Sequence, residues 1–71
     1  MFTYRYKIEV YEVVNNQANI DTPLYTLTGT VEAERYSHAC TKSWVQLNAE
    51  IERRGRRDIA VSDLDVQRIE Q

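Results

Sequence analysis

The sequence predicts an α+β fold, a ββαβ chain in which a three-stranded antiparallel sheet carries one helix packed on one face. Three observations lead there. Residues 2–14 and 24–33 alternate apolar and polar side chains with period two, the signature of strands with one buried face. Residues 36–54 change to a helical period, and a shorter alternation resumes at 63–70. The chain is read as a single domain over 1–71: strand 2–14, loop 15–23, strand 24–33, helix 36–54, loop 55–62 and strand 63–70.

In the first strand Phe2, Tyr4, Tyr6, Ile8 and Val10 share one side, with Thr3, Arg5, Lys7 and Glu9 between them. The phase slips at Tyr11-Glu12-Val13-Val14, as it would at a strand end leaving the core, with or without a bulge. The turn formers of Asn15–Pro23 predict a loop longer than a tight hairpin needs. In the second strand Tyr25, Leu27, Gly29, Val31 and Ala33 face inward, opposite Thr26, Thr28, Thr30 and Glu32. A glycine on the inner face predicts that a large side chain lies over it, and Trp44 of the helix is the candidate.

At 100° per residue Tyr36, Cys40, Trp44, Leu47 and Ile51 fall within an arc of about 80°, flanked by Ala39. This stripe docks the helix on the sheet and leaves Val45 on its outer side. Gly55 stands where a left-handed C′ residue ends a helix. Ile59 and Val61 are expected beneath the helix end. The segment Leu64–Ile69 alternates with one slip and is read as the third strand, in preference to a short helix capped by Ser62, because a two-stranded ribbon under one helix makes a poor core. Strand 1 is expected in the middle of the sheet.

The stretch Glu52-Arg53-Arg54-Gly55-Arg56-Arg57-Asp58 packs four arginines into five positions. Arg53 and Arg54 lie in the last helical turn, where cations meet the helix dipole favourably. Glu50, Glu52 and Asp58 offset the four cations, so residues 50–58 carry four plus and three minus charges, a net of +1. Arg56 and Arg57 lie past the helix, where neither dipole nor cap requires them. The open side of the sheet carries Arg5, Lys7, Tyr11, Val13 and Thr28. These nine residues are the candidate partner-binding positions.

The chain is 71 residues long with 42% apolar and 28% charged residues, too apolar and too mixed in charge for a disordered tail. A net charge of −2 does not attract a polyanion at long range. Cys40 is the only cysteine, which excludes an internal disulfide and fits a reducing compartment. The N-terminal residues alternate and offer no signal-peptide run, so a cytoplasmic protein with no membrane span is expected. His38 and Cys40 are two apart and point about 200° from each other on a helix, so they share no metal. Asp58, Asp63 and Asp65 form an acidic neighbourhood but lack a paired histidine, a glycine-rich phosphate cradle or a nucleophile motif. No enzyme activity, cofactor or metal is expected.

The run Thr30–Ala39, where a strand ending in Val31-Glu32-Ala33 enters a helix with Ala39 at its first inward turn, lies between "YKIEVYEV" and "LDVQRIE". This arrangement resembles small ββαβ proteins of phages and mobile elements, among them the DpnD/PcfM-like accessory proteins and small phage inhibitors of host defence. Archaeal ribosomal protein LX and the phycobilisome linker domain share the general layout but are typically basic. Arg35 stands where such proteins place a Ser, Asn or Asp cap. The resemblance implies a protein-binding accessory module that modulates a host protein, and it transfers no site residues. A protein partner and a homodimer are the expected associations. The alternative is a small nucleic-acid-binding domain using the Arg53–Arg57 cluster and the open sheet face.

Overall fold

The computed structural model describes residues 1–55 and 58–69. The fold is α+β: one helix, α1 (Tyr36–Arg54), and an antiparallel sheet of β1 (Phe2–Val14), β2 (Gln17–Ala18), β3 (Tyr25–Ala33), β4 (Ile59–Val61) and β5 (Asp65–Arg68). Five strands replace the three that the alternation predicts, because both flanks of β1 are interrupted.

All four other strands pair antiparallel with β1. Backbone groups alternate sides along a strand, and the bonds along β1 follow that rule. The Val10 and Glu12 carbonyls accept from Leu24 and Asn19, at 2.7 and 2.9 Å, on the flank of β2 and β3. The Glu9 carbonyl accepts from Ser62 at 2.9 Å, and the Val13 N–H donates to Asp58 at 2.8 Å, on the flank of β4 and β5. The first strand is therefore central, as its extended apolar face predicts.

The segment 15–23 is not loop throughout. Asn15 and Asn16 take positive φ values of 54° and 64°, and Val14 pairs with Gln17. Two left-handed residues between paired strands fit the type I′ hairpin, whose twist matches that of its strands. The excursion is confined to Ile20–Pro23, after which the chain returns to β1 and runs in register from Val10↔Tyr25 to Phe2↔Ala33.

The segment expected as loop 55–62 contains β4, and strand 63–70 is shortened to Asp65–Arg68. Val10 faces Val61 while Lys7 faces Asp65, so Glu9 and Ile8 oppose the three residues Ser62, Asp63 and Leu64. This extra residue is a bulge, and it shifts the inward phase from Ile59 and Val61 to Leu64 and Val66. Ser62 heals the ladder with its side chain. Its N–H donates to the Glu9 carbonyl, and its Oγ accepts from the Glu9 N–H at 2.8 Å.

The core comprises Tyr4, Tyr6, Ile8, Val10, Ala33, Ala39, Leu47 and Val66. It lies between α1 and one sheet face. Most of the bulk comes from the sheet, and the buried positions of the helix are two small residues, Ala39 and Ser43, and one large one, Leu47. Ser43 is fully buried, with its hydroxyl donating to the Ala39 carbonyl at 2.7 Å. That bond back onto the preceding turn lets a polar side chain serve as a small core residue. The expected stripe is thus rotated. Cys40, Trp44 and Ile51 flank the core half-buried, and Tyr36 is 55% exposed with its ring edge-on to Tyr4.

Gly29 does carry a large side chain over it, but that side chain is Tyr6 from the facing strand, not Trp44. The two are cross-strand partners, and a Cβ at Gly29 would overlap the Tyr6 hydroxyl and lie 2.5 Å from Cζ. At the helix end Gly55 takes φ 76° and donates to the Glu52 carbonyl at 3.0 Å, the left-handed cap that the sequence predicts. At the helix start Arg35 provides no side-chain cap.

Gly29→Ala is expected to destabilise the fold by about 1–3 kcal/mol through overpacking, which lowers the melting midpoint by roughly 4–8 °C per kcal/mol in a domain this small. Thermal melts followed by circular dichroism test this. Adding Tyr6→Phe restores part of the loss, because the hydroxyl is the nearest clashing atom. An unshifted midpoint for Gly29→Ala removes Tyr6 from over Gly29. Ser62→Ala leaves the Glu9 N–H without its acceptor and costs about 1–2 kcal/mol, read in the same melts.

Candidate functional site

The helix covers one face of the sheet, and no described element covers the other. The period of β1 places Thr3, Arg5, Lys7, Glu9, Tyr11 and Val13 on that open face. Pairing sets their neighbours: Arg5 lies between Thr30 and Gln67, and Lys7 between Thr28 and Asp65. Glu9 faces Thr26. Together these rows form a shallow concavity of about 550 Å³ lined by Arg5, Tyr6, Lys7, Thr26, Thr28, Asp65 and Gln67.

Two features set the chemistry of this surface. Arg5 and Lys7 are exposed, and among the described residues no ion pair holds either one. Yet the charged side chains of the rows balance, with Arg5 and Lys7 against Glu9 and Asp65, and Glu32 at the far end of β3 adds a further negative charge. The surface offers directed donors without a positive field. Tyr11 is tied down and half-buried: its hydroxyl donates to Glu9 Oε2 at 3.0 Å. That hydrogen bond to a carboxylate, with some loss of hydration and the nearby negative charge, raises the phenol above its ordinary value. Tyr11 is therefore less available for stacking on a base than its sequence position implies. Val13 is half-buried near the hairpin.

The arginines belong to a different layer. Arg53 grips Glu50 through Nη2 at 2.6 and 2.7 Å and Nε at 3.1 Å. Arg54 Nε lies 3.3 Å from the same carboxylate, and its guanidinium sits 4.1 Å from the centre of the Tyr25 ring. Arg54 thereby closes the end of the core beside the first residue of β3. Arg56 and Arg57 lie outside the described residues. Arg53 and Arg54 stand at the helix end, whereas Arg5, Lys7, Tyr11, Val13 and Thr28 share the open face, so the nine candidates do not form one surface.

The strand phase identifies Arg5, Lys7 and the threonines from sequence. Asp65 and Gln67 are missed, because the bulge at Ser62–Leu64 hides the phase of the last strand. Among the described residues no helix is long and apolar enough to cross a membrane. No family model, curated protein or solved structure matches the chain.

The Glu50 carboxyl is held below its ordinary value chiefly by the hydrogen bond from Arg53, which together with the charges of Arg53 and Arg54 outweighs an opposing loss of hydration. A depressed folded-state value contributes stability above the unfolded carboxylate range and loses it as pH falls through the folded value. Melting midpoints of wild type and Glu50→Gln are therefore expected to differ most near neutral pH and to converge as pH falls below the ordinary glutamate value of about 4.3. A constant offset across that range excludes this ion pair as a source of stability.

Proposed function

We propose that the chain is a small, non-enzymatic accessory module that binds a protein partner through the open face of its sheet. The observation that carries this reading is the uncovered face itself, where Arg5 and Lys7 stand unpaired among threonines and in balance with Glu9 and Asp65. A flat, β-branched, charge-balanced surface with a few directed donors suits a protein contact. A surface that tracks phosphates accumulates uncompensated positive charge. The likeness to phage and mobile-element accessory proteins makes a host protein the natural partner, one whose activity is modulated by occupation of its surface.

The nucleic-acid alternative requires Arg5 and Lys7 to act together with the arginine cluster. Arg53 and Arg54 are engaged by Glu50 and Tyr25 instead, which counts against it.

The test is capture of partners from the lysate of the native host, with and without nuclease, followed by titration with the purified partner. Binding is expected to survive nuclease and to weaken with salt by a log-log slope of magnitude below about 2, since each phosphate contact adds about 0.9. Lys7→Glu is expected to reduce affinity at least about tenfold, equivalent to about 1.4 kcal/mol, with the melting midpoint unchanged. Nuclease-sensitive capture, or a slope of several units, sinks the protein-binding reading in favour of the nucleic-acid one.

A further inference from the structure

The outer edge of β3 lies apart from the open face and carries a message of its own. In the register of β1 and β3 the odd-numbered residues of β3 bond to β1, so the backbone groups of Thr26, Thr28, Thr30 and Glu32 point outward. Of these the Glu32 carbonyl is taken, because it accepts from Lys42 Nζ of α1 at 2.6 Å. Along Thr26–Thr30 no described element pairs with the edge. This segment has no proline, no charge and no bulge, which are the devices that normally blunt an edge strand. The opposite flank of the sheet has one, since its outer strand is broken by the bulge at Ser62–Leu64. One edge is protected and the other is left straight.

We infer that β3 pairs antiparallel with β3 of a second copy of this chain, about a two-fold axis at Thr28, forming one continuous sheet with both helices on the same face. The edge is self-complementary in this register. Thr28 meets its own copy, Thr26 meets Thr30 of the second chain, and the outward N–H and C=O groups exchange bonds. The threonines form cross-strand pairs on the open face. The open face remains free, so the dimer presents two copies of the partner-binding surface side by side.

Sedimentation of the full chain from micromolar to submillimolar concentration tests this, with a mass of twice the 8.4 kDa chain expected at the upper end. T28K places two ammonium groups at the axis and is expected to weaken association at least tenfold while leaving the circular dichroism spectrum of the folded chain unchanged. Y11E, on the open face, and V45E, on the outer side of α1, are expected to leave association intact. Amide exchange gives a readout at the edge itself: the N–H groups of Thr26 and Thr30 slow as concentration rises in wild type and stay fast in T28K. A monomer at every concentration overturns the inference. So does a dimer that survives T28K, or one lost in Y11E or V45E alone, which places the contact on the open face or on the outer side of the helix.

Discussion

Every strand in this protein is held by β1. A single thirteen-residue strand supplies the pairing partner for all four others, and its own backbone groups are used on both sides. The reason lies in size. A chain of 71 residues buries too little apolar surface for two independent layers of sheet, and one long central strand gives each short strand a full row of hydrogen bonds without a core of its own. The interruptions on the flanks, Ile20–Pro23 on one side and Ser62–Leu64 on the other, are tolerated because β1 continues unbroken beneath them. Ser62 shows how closely the ladder is kept: where the bulge removes a backbone acceptor from Glu9, a hydroxyl takes its place.

The same economy governs the core. One helix covers one face, and the space between them is filled mainly by Tyr4, Tyr6, Ile8 and Val10 of β1 together with Leu47 and Val66, with small residues at Gly29, Ala39 and Ser43. Gly29 accommodates the end of the Tyr6 ring, and Ala39 and Ser43 allow the helix to approach. Large groups on the central strand and small ones on its neighbours produce interdigitation with few side chains. The ends are closed by cations stacked on rings, Arg54 on Tyr25 and Arg68 on Phe2, at 4.1 and 4.7 Å. These guanidinium groups cover apolar surface that a larger protein would bury under another element.

Surfaces available for binding follow from what this architecture leaves over. The helix commits one face of the sheet, the bulged strand protects one edge, and the Arg53–Glu50–Arg54 group is spent on the helix end. What remains is a face with free cations among threonines and an edge with free backbone groups. The two differ in kind. The face presents a few charged donors, and the edge presents backbone groups in the register of an extended strand.

The sequence by itself determined the α+β class, the central place of the first strand, the limits of α1 with Gly55 as its cap, and the side on which Arg5, Lys7, Thr26, Thr28 and Thr30 stand. These follow from local periodicity and from backbone conformations that few residues adopt, so neighbouring residues carry the whole signal. Only the tertiary structure decided the rest. That Tyr6 and not Trp44 covers Gly29 depends on which strand lies opposite. That Ser43 is buried while Tyr36 is exposed depends on how closely the helix must approach a sheet already filled by tyrosines, which no hydropathy pattern encodes. That Asp65 and Gln67 join Arg5 and Lys7 depends on one extra residue at the bulge, since the side-chain period of a strand is two and a single inserted position reverses every later side chain. The arginine run most prominent in the sequence is answered, at Arg53 and Arg54, by Glu50 one turn earlier and by Tyr25 from another strand, a contact made only when the helix folds back along β3.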